Sequence, residues 1–554
     1  MSQHKYIFVT GGVMSGVGKG VTVSSIAKIL QSRGFKVNPM KIDPYLNVDA
    51  GTMNPIEHGE TFVLDSGLEC DQDMGNYERF LGKSLPRESY MTSGMVYKYV
   101  IDKERALGFG GKCVDPVPYI SSEILRRIDQ AVKKTKADIT IVEIGGTVGE
   151  YQNVMFIEAA RILKLKHPED VRFVLVSYLP VPNKVGEMKT KPTQYAVRSL
   201  NSYGVHPDII IARSDRPLDK KRKEKLAMSS NVGIEDIISA PDVESIYDIP
   251  INFEKDGLTD TLLDLLRLGP GERDLQEWRK MVERGSKAKK EVNIALVGKY
   301  FKTGDYVLSD VYISVIEALK HAANKAGKKI NIHWLDSVDY ESGDREPESL
   351  SAYDGILVPG GFGERGIEGK IKVIKYAREN RIPYFGLCYG MQLAVVDFAR
   401  HVAGIEKAQT TEIDPETTEP VIDVLPDQRS KITDKNFGGT MRLGAYPARV
   451  KKGTFAYRAY GTTEISERHR HRFEVNPEYL AKLEEAGLVF SGTSPDNRLM
   501  EIAELPKKTH PFFVATQFHP EFKSAPLTPH PLFLSFIKAA ASVASEREKA
   551  EAGK

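Results

Sequence analysis

The feature that most constrains the fold is an apolar run over residues 383–387 that stops at a cysteine, Cys388. Gly386 and Gly390 flank this cysteine, and an amphipathic helical pattern over residues 393–402 follows at once. Glycines at such a point let a strand turn sharply into a helix, which exposes the side chain at the apex. The N-terminus of the helix favours the thiolate, the form of cysteine that attacks. Because a lone cysteine after a strand is more often a small buried apolar residue, the assignment of a nucleophile depends on the rest of the chain.

A histidine and a glutamate further along the chain supply the partners that a nucleophilic cysteine requires. A strand-like run over residues 514–518 leads into His519, and Glu521 follows two residues later, where it can orient the imidazole. Cys388, His519 and Glu521 therefore predict a cysteine triad. A glycine-rich turn at residues 358–363 offers backbone N–H groups for an oxyanion. These motifs resemble the class I glutamine amidotransferases, which implies release of ammonia from the glutamine side chain through a thioester.

The composition is that of a soluble globular protein with two or more domains, since the chain has 554 residues, 41% hydrophobic and 27% charged. The net charge of +2 gives no argument for nucleic acid or a membrane as a partner. Cys70, Cys113 and Cys388 show no CxxC spacing, which favours a reducing compartment. With no signal-peptide pattern and no apolar run of membrane-spanning length, we expect a cytoplasmic protein.

A glycine-rich loop near the start of the chain predicts a phosphate-binding site. Residues 11–20 follow a strand-like run and precede a helical pattern over residues 21–32, so backbone N–H groups can close around phosphates while Lys19 reaches the outer ones. The strict Walker pattern is absent. Val13 stands where its first glycine belongs, and Gly20 stands where the magnesium-binding hydroxyl belongs. An ordinary glycine-rich turn stays open as an alternative, and any metal ligands must come from elsewhere in the chain.

Acidic residues near this loop are candidate ligands of Mg²⁺, an ion that takes oxygen ligands and keeps several waters. They cluster at residues 57–60 and 69–75, where a solvated acidic loop is an equally good interpretation. Glu143 is the better candidate, because it lies near the end of a strand-like run over residues 139–144.

Strands and helices alternate through this half of the chain, with strand-like runs at residues 171–177 and 209–213. Such alternation predicts a parallel sheet covered by helices. A basic turn at residues 189–194 precedes one of the helices and can clamp a triphosphate, although a turn of this size is more often only surface.

The motifs together closely resemble the CTP synthase family, from about residue 5 to residue 540. The synthase half carries the resemblance at residues 9–20, 41–53, 58–60, 73, 142–149 and 189–194, and the amidotransferase half fits the family's C-terminal domain. The resemblance implies a glutamine-dependent ligase in which ATP phosphorylates O4 of UTP, ammonia attacks C4 and phosphate leaves. It also implies two doubly wound α/β domains with parallel sheets, one similar to P-loop and Rossmann domains and one flavodoxin-like.

The resemblance also implies roles for individual residues. The catalytic residues would be Cys388, His519 and Glu521. The ATP-binding residues would be Gly16, Val17, Gly18, Lys19, Gly20, Val21, Lys41, Asp73 and Asp242. UTP or CTP would bind Ser15, Lys189, Thr190, Lys191, Pro192, Thr193, Gln194, Lys225, Glu150 and Gln152. Glutamine would bind Gly361, Tyr389, Gly390, Met391, Gln392, Glu412 and Arg472. Asp73 and Glu143 would bind Mg²⁺, and His58 would line the route of ammonia.

The domain organisation is indicated by a Gly–Pro stretch at residues 268–271, which closes the first half, and by the alternating charges of residues 274–290. We predict a synthase domain over residues 1–268, a linker over 269–290, a glutaminase domain over 291–544 and a frayed, charged tail over 545–554. The family further implies activation by GTP, with a lid at residues 438–444, and self-association to a homotetramer. His469 and His471 share one face of a predicted strand, but the arginines between them argue against a metal site.

Several positions depart from the family pattern. Thr61 replaces a valine beside the expected ammonia route, and Tyr119 replaces a histidine. Glu150, Gln152 and Ser229 lie where relatives bind the ribose and base of CTP for feedback inhibition. We therefore hypothesise that the chemistry is retained while feedback by CTP is weakened.

Three classes of function stay open at this point. The first is a CTP synthase, with a relative of altered nucleotide substrate as the alternative within that class. The second is an ATP-dependent amidoligase of the cobyrinate or dethiobiotin-synthetase type, and the third is a non-catalytic regulatory or filament-forming relative. Residues 41–53 and 189–194 disfavour the second class, because they fit a second nucleotide. The complete set of predicted catalytic residues disfavours the third.

Overall fold

The computed structural model describes residues 4–184, 186–271, 275–299, 302–303, 306–307, 309–425, 428, 431 and 438–552. The chain divides into two compact units. The first comprises residues 1–50 and 73–282, and the second comprises residues 51–72 and 283–554. This division differs from the predicted domain boundaries in two respects. It assigns residues 51–72 to the second unit, and it divides the predicted linker between the units at residues 282 and 283. Residues 272–274 of the predicted linker and 553–554 of the predicted tail lie outside the described residues.

The strands of the first half of the chain alternate with helices, as the sequence predicts. The strands are β1 (Lys5–Gly12), β2 (Val37–Asp43), β3 (Thr61–Val63), β4 (Glu69–Asp71), β5 (Tyr90–Thr92), β6 (Ile139–Ile144), β7 (Val171–Tyr178), β8 (Ile209–Ser214) and β9 (Ile237–Pro241). The helices are α1 (Lys19–Ser32), α2 (Pro55–His58), α3 (Asp73–Leu81), α4 (Ser93–Arg105), α5 (Pro116–Thr135), α6 (Val154–Lys166), α7 (Lys191–Ser202), α8 (Lys220–Ser230), α9 (Ile249–Lys255), α10 (Leu258–Leu266) and α11 (Gln276–Lys287).

The first unit is built on a seven-stranded sheet with the order β5-β2-β6-β1-β7-β8-β9. Every pair in it is parallel, so the prediction of a parallel, helix-covered sheet is confirmed. Its strands are almost entirely buried, as is typical of a sheet with helices on both faces. Because the strands run in the same direction, the ends of β1, β2 and β6 meet at one edge, where their loops can form a site.

The second half of the chain contains further strands and helices. The strands are β10 (Glu291–Gly298), β11 (Lys302–Thr303), β12 (Tyr306–Val307), β13 (Lys329–Asp336), β14 (Gly355–Val358), β15 (Tyr384–Leu387), β16 (Gln409–Thr410), β17 (Pro420–Val424), β18 (Arg442–Val450), β19 (Glu464–His471), β20 (Phe473–Val475), β21 (Val489–Thr493), β22 (Met500–Glu504) and β23 (Phe513–Thr516). The helices are α12 (Ile313–Lys325), α13 (Ser337–Ser342), α14 (Ile367–Glu379), α15 (Tyr389–His401), α16 (Phe455–Tyr460), α17 (Leu480–Glu485) and α18 (Pro531–Ala552).

The main sheet of the second unit is mixed: it contains the predicted parallel strands and, in addition, antiparallel strands that the sequence did not predict. Its order is β13-β10-β14-β15-β23-β22-β21-β18-β19. The strands from β13 to β23 pair in parallel, whereas those from β23 to β19 pair antiparallel. The physical reason is the length of the connections. Short turns such as residues 494–499 can join only antiparallel neighbours, because a parallel crossover needs a dozen residues or more.

The end of the chain is helical as far as residue 552. Helix α18 runs from Pro531 to Ala552. Arg547 on this helix donates from Nη1 to the carbonyl of Ala352 at 2.9 Å and from Nη2 to that of Tyr353 at 3.0 Å, and it pairs with Asp354 at 3.3 Å. Within the described residues, none of the helices combines the length and apolar character needed to cross a membrane.

Candidate active sites

The predicted nucleophile lies at the junction of β15 and α15. Cys388 immediately precedes the helix and has φ 51° and ψ −100°, a conformation that residues other than glycine rarely adopt. Its N–H donates to the carbonyl of Thr516 on β23 at 2.6 Å, and its carbonyl accepts from the N–H of Met391 at 3.0 Å. The neighbouring strand and the first helical turn therefore hold the backbone in this strained turn, as is common at functional sites.

The two glycines beside Cys388 are required by close packing. A Cβ on Gly386 would lie 2.6 Å from the hydroxyl of Tyr384 and 2.8 Å from the carbonyl oxygen of Gly390. A Cβ on Gly390 would lie 2.3 Å from the carbonyl oxygen of Val358. Cys388 itself, and not either glycine, takes the positive φ. The sequence thus identified the right residue types, and the structure supplies the reason.

The structure brings His519 and Glu521 to the same place. Nδ1 of His519 lies 2.7 Å from Oε1 of Glu521, and the imidazole stacks on Phe522 with ring centroids 5.1 Å apart. A Cβ on Gly360 would lie 2.9 Å from Cε1 of His519 and 3.7 Å from Cβ of Cys388, so both side chains face this glycine. Cysteine, imidazole and carboxylate are therefore arranged in the order that a triad requires.

The electrostatics of His519 favour an imidazolium. Burial by itself would lower the pKa of His519, but the charges of Glu521 and Cys388 outweigh burial and raise the pKa to about 10. At neutral pH the ring therefore carries a proton that it can give to a leaving nitrogen.

Replacement of Glu521 by glutamine should make the protein less stable at pH 7 than at pH 10, relative to wild type. Because the pKa of His519 is raised from 6.5 to about 10, its contribution to stability is fully present below pH 6.5 and is lost as the pH rises through 10. Without the carboxylate most of this contribution disappears. Melting temperatures of the two proteins at both pH values test the prediction, with Glu485→Gln, an exposed carboxylate of the same unit, as the control. An equal loss at both pH values would contradict it.

A cavity of about 240 Å³ opens beside the cysteine, within the second unit. It is lined by Pro55, Glu60, Thr61, Val311, Tyr312, Gly360, Gly361, Phe362, Cys388, Arg470, His519, Glu521 and Phe522. The segment 51–72 thus supplies part of the wall. His58, predicted to line the ammonia route, belongs to this segment, and its Nε2 lies 3.6 Å from Oδ2 of Asp71, but it is not among the described residues that line the cavity.

Two arginines of β19 fasten this segment to the glutaminase half of the chain. Nε of Arg468 lies 2.5 Å from Oδ1 of Asp65, and Nε of Arg470 lies 2.8 Å from Oε1 of Glu69, which is almost fully buried. The carbonyl of Arg468 accepts from the N–H of His519 at 2.8 Å. Strand β19 therefore contacts both the segment that forms the cavity wall and the backbone of His519. Breaking a buried pair such as Arg470 with Glu69 typically costs about 3–5 kcal/mol.

The residues predicted to bind glutamine are placed unequally. Gly361 lines the cavity, whereas Glu412 and Arg472 do not. Oε1 of Glu412 accepts from the N–H of Gly363 at 2.9 Å, and burial raises the pKa of its carboxyl group. Nη1 of Arg472 donates to Oε1 of Gln428 at 2.7 Å. Tyr389, Gly390, Met391 and Gln392 form the first turn of α15 and are all buried.

The sequence analysis missed Gln517. Its Nε2 lies 3.7 Å from Sγ of Cys388, and its Oε1 accepts from Nε2 of Gln392 at 3.3 Å. Gln517 is fully buried. A long polar side chain two residues before His519, directly after an apolar strand, was the signal that could have found it, since buried amides are held by hydrogen bonds.

The phosphate loop of the first unit has the backbone geometry expected of such a loop. Val13, in the place of a glycine, has φ 78°, and Gly18 has φ 91°. Helix α1 starts at Lys19, two residues before the predicted start, and the first helical hydrogen bond joins the N–H of Thr22 to the carbonyl of Gly18 at 3.0 Å. Nζ of Lys19 donates to the carbonyl of Gly146 at 2.9 Å. The lysine is thus held over the loop.

Asp73 occupies the space that a side chain at position 20 would need. A Cβ on Gly20 would lie 1.9 Å from Oδ1 of Asp73. Nζ of Lys41 contacts Oδ2 of Asp73 at 2.5 Å and Oε1 of Glu143 at 2.8 Å. In a Walker loop, a hydroxyl and a metal ion separate such a carboxylate from the start of the helix. Here the carboxylate of Asp73 lies directly against the start of α1.

The charges in this cluster depend on one another. Burial by itself would raise the pKa of Asp73, but Lys41 and Lys19 outweigh burial and lower it. Burial raises the pKa of Glu143, although Lys41 acts in the opposite direction. The hydroxyl of Tyr77 donates to Glu143. The ammonium groups of Lys41 and Lys19 therefore balance the charge of these carboxylates.

The pair of carboxylates fits the predicted binding of Mg²⁺. Asp73 and Glu143 contact the same ammonium, so a single cation can be reached by both. Two carboxylates, with the remaining positions left to water and phosphate oxygens, are a common set for Mg²⁺. Among the described residues, no group of three or more His, Cys, Asp and Glu side chains is arranged to hold a metal ion, and that includes His469 and His471.

A second, smaller cavity lies beside the phosphate loop. One of its lining residues, Arg213, was not predicted from the sequence. Its lining includes Gly18, Thr22, Arg213 and Phe253. Nη2 of Arg213 lies 2.6 Å from Oδ1 of Asp242, one of the residues predicted to bind ATP. Arg213 thus connects the cavity lining to Asp242.

Comparison with known proteins decides between the families. The family described as "CTP synthase N-terminus" matches residues 5–268, and "Glutamine amidotransferase class-I" matches residues 307–539. A CTP synthase of Thermococcus gammatolerans is 51% identical over 538 residues, which is 97% of this chain and 98% of that protein. A CTP synthase of Carboxydothermus hydrogenoformans is 50% identical with the same coverage. This chain belongs to the CTP synthase family.

A solved structure is also similar to the second half of this CTP synthase family member. It is the glutaminase domain of a Trypanosoma brucei CTPS with bound acivicin, 38% identical, covering 45% of this chain and 94% of that chain with a TM-score of 0.42. Membership of the CTP synthase family confirms the predicted enzyme class, a carbon–nitrogen ligase. It does not favour an amidoligase of another type or a non-catalytic relative.

Residues that depart from the CTP synthase pattern have identifiable contacts. Thr61 lines the cavity beside Cys388. Nε2 of Gln152 donates to Oε2 of Glu150 at 2.7 Å, and the hydroxyl of Ser229 donates to the carbonyl of Leu226 at 3.2 Å. Tyr119 packs edge-on against Phe109. These contacts are local to each position.

A lysine of the basic turn predicted to bind a triphosphate lies beside Glu187, together with two cations of α8. Nζ of Lys189 contacts Oε2 of Glu187 at 2.6 Å. That hydrogen bond, together with the charges of Arg222 and Lys225, lowers the pKa of Glu187. Lys189 and Lys225 therefore lie on the same side of the unit, with Arg222 as a cation that the sequence analysis did not assign. The other members of the turn form the start of α7, where Gln194 bonds to Thr190 at 3.3 Å.

Proposed function

We propose that this enzyme converts UTP to CTP, using ATP and nitrogen released from glutamine. The observation that carries the proposal is that one chain contains both a Cys388–His519–Glu521 set beside a cavity and a phosphate loop with two carboxylates on a shared cation. The relatives named CTP synthase match nearly the whole chain, which supports assigning both half-reactions to it.

In the second unit, the thiolate of Cys388 attacks the carbonyl carbon of the glutamine side-chain amide. The N–H groups of Gly361 and Tyr389 receive the oxyanion, since the residue after the nucleophile commonly supplies one donor. As the C–N bond breaks, His519 gives a proton to the leaving nitrogen, which departs as ammonia. Water then hydrolyses the thioester to glutamate, while Glu521 keeps the imidazole oriented.

In the first unit, ATP binds with its phosphates at the start of α1, where Lys19 and the loop N–H groups meet them. The γ-phosphoryl group passes to O4 of UTP, and ADP leaves. Ammonia adds to C4, and phosphate leaves with O4 to give CTP. Mg²⁺ held by Asp73 and Glu143 would neutralise the phosphate charge. Lys41, which already contacts both carboxylates, supplies a further positive charge near the transferred group.

The UTP triphosphate is assigned to the basic turn and to α8. Lys189 and Lys225 share the vicinity of Glu187, which supports a common anion site. Lys191 opens α7, so a phosphate there would also meet a helix N-terminus. Ser15 belongs to the phosphate loop and would contact the same nucleotide.

Further proposals rest on the family resemblance. We assign activation by GTP to the lid at residues 438–444, self-association to a homotetramer, and a location in the cytoplasm. Arg442 of the lid pairs with Glu474 at 3.1 Å and with Glu501 at 2.7 Å, so a ligand that moves the lid acts against buried ion pairs. His58 stays assigned to the ammonia route because it lies on the segment that forms the cavity wall.

The experiment that tests the function uses purified enzyme with ATP, Mg²⁺ and UTP, supplied with glutamine or with ammonia. Formation of CTP is followed by absorbance. CTP from both nitrogen sources is the expected result. Glutamine hydrolysis without CTP from either source would contradict the assignment of UTP as the substrate.

Feedback by CTP is a separate prediction, which rests on Glu150, Gln152 and Ser229. We expect CTP to inhibit weakly, because these residues replace the family's contacts to its ribose and base. The measurement is an inhibition curve for CTP at fixed UTP, run beside a relative that carries the usual residues. Equal potency in the two enzymes would contradict the prediction.

A further inference from the structure

A lysine of α14 is completely buried behind the glutaminase site. Lys370 has no exposed surface, and its Nζ has no hydrogen-bond partner among the described residues. A leucine or methionine would fill the same space without the electrostatic cost of burying an ammonium. Packing alone therefore does not explain this residue. The mechanism derived above does not use it either.

The ammonium lies against the two residues that are assigned to the oxyanion. A Cβ on Gly361 would lie 3.7 Å from Nζ of Lys370, and the ring centroid of Tyr389 is 5.4 Å from the same nitrogen. Nζ of Lys299 is 5.7 Å from that ring and donates to the carbonyl of Gly363 at 2.8 Å. Lys299 is thus bound to the glycine turn, whereas Nζ of Lys370 makes no hydrogen bond among the described residues.

We propose that Lys370 is a positioning residue for glutamine hydrolysis, whose buried ammonium supports the backbone donors of Gly361 and Tyr389 as the oxyanion forms. The inference rests on the proposed glutaminase reaction. A charge in a water-excluded site acts over a longer distance than it would in water. The attraction between the ammonium and the glutamine oxygen grows as negative charge develops on that oxygen. The ammonium therefore stabilises the transition state more than the bound substrate.

The charged groups around Lys370 define its pH dependence. Burial and, to a smaller extent, the like charge of Lys299 lower its pKa to about 7. Glu412, Asp336 and Cys388 act in the opposite direction. Burial likewise lowers the pKa of Lys299, to about 8. The ammonium of Lys370 is therefore lost as the pH rises past 7, before that of Lys299.

Glu412 offers a competing interpretation, in which Lys370 only balances the charge of a glutamine-binding carboxylate. The two interpretations differ in steady-state kinetics. A residue that serves Glu412 affects substrate binding and raises KM, whereas a residue that serves the oxyanion lowers kcat. Separate measurement of kcat and KM therefore distinguishes the two interpretations.

The test uses the full-length enzyme and the variants Lys370→Met and Lys370→Gln. Lys372→Met is the matched control, because Lys372 lies on the same helix with its side chain exposed and its Nζ 3.1 Å from the carbonyl of Tyr340. We expect both Lys370 variants to lose kcat for glutamine hydrolysis by roughly tenfold or more, with KM changed less than about threefold. CTP formation from ammonia should match wild type.

Two pH-dependent readouts separate this role from a structural one. The fall in kcat of wild type above pH 7 should be absent from Lys370→Met. Because unfolding raises the pKa of Lys370 back to 10.5, the unfolded state binds more protons above pH 7 and wild-type stability rises with pH there. Lys370→Met should therefore melt at or above the wild-type temperature at pH 6, with the difference shrinking toward pH 9.

Each other outcome overturns the proposal. These outcomes are unchanged kcat, a rise in KM alone, or a lower melting temperature accompanied by loss of both glutamine-dependent and ammonia-dependent activity. If wild type itself does not hydrolyse glutamine, the proposed function fails first. If wild type is active and Lys370→Met matches Lys372→Met, only the present inference fails.

Discussion

Replacement of Cys388 by alanine is expected to abolish CTP formation from glutamine and to leave formation from ammonia at the wild-type rate. The thiolate is the only group in the triad that can form the thioester, so its removal should cost about 10⁴-fold or more in glutamine hydrolysis. Alanine keeps a Cβ and removes only the sulfur, so the strained turn at φ 51° can persist. The measurement is the absorbance assay with each nitrogen source in turn.

The control for this prediction is Cys113→Ala, which removes an exposed cysteine. It should retain both activities. Parallel loss of the glutamine and ammonia reactions in Cys388→Ala would contradict the prediction, because it would mean that the nucleophile is needed for the fold or for the synthase reaction. Retained glutamine hydrolysis would remove Cys388 from the mechanism altogether.

Replacement of Gly20 by alanine is expected to reduce CTP formation from either nitrogen source and to leave glutamine hydrolysis intact. The new Cβ would lie 1.9 Å from Oδ1 of Asp73, so Asp73 must move away from α1. Moving it breaks the 2.5 Å contact with Lys41 and displaces one of the two candidate Mg²⁺ ligands. A misplacement of about 1 Å at a reacting centre can cost on the order of 100-fold in rate. CTP formation should therefore fall by about 100-fold or more with either nitrogen source.

Glutamine hydrolysis by the Gly20→Ala variant should persist, since Cys388 and its cavity belong to the other unit. Gly269→Ala is the control, because a Cβ at Gly269 meets open space. Wild-type CTP formation by Gly20→Ala would show that Asp73 can move freely and does not act as a ligand. Loss of hydrolysis together with synthesis would indicate misfolding, which a melting curve would register.

Much of the candidate site could be predicted from local sequence, because its chemistry depends on residue types at fixed short spacings. A glycine, a cysteine and a glycine after an apolar run identify a strand–helix turn, and His519 with Glu521 lie within three positions of each other. The same holds for the phosphate loop. Alternating strands and helices likewise predicted the parallel sheet of the first unit.

Local sequence could not predict the direction in which the strands of the second sheet pair. The direction depends on contacts between segments that are distant in sequence, so the antiparallel part, from β23 to β19, was not predicted. The helix at the end of the chain likewise depends on contacts with distant segments. Arg547 is held by carbonyls of residues 352 and 353, which are far away in sequence.

The sequence by itself determined the family, the two chemistries and the identity of most residues assigned to them. Only the tertiary structure decided that residues 51–72 join the glutaminase unit, that Asp73 fills the space beside Gly20, and that Gln517 and Lys370 lie behind the nucleophile. The physical reason is that these features depend on burial and on contacts between distant segments. A motif records the groups that meet a substrate, whereas the packing that surrounds them is distributed over the whole chain.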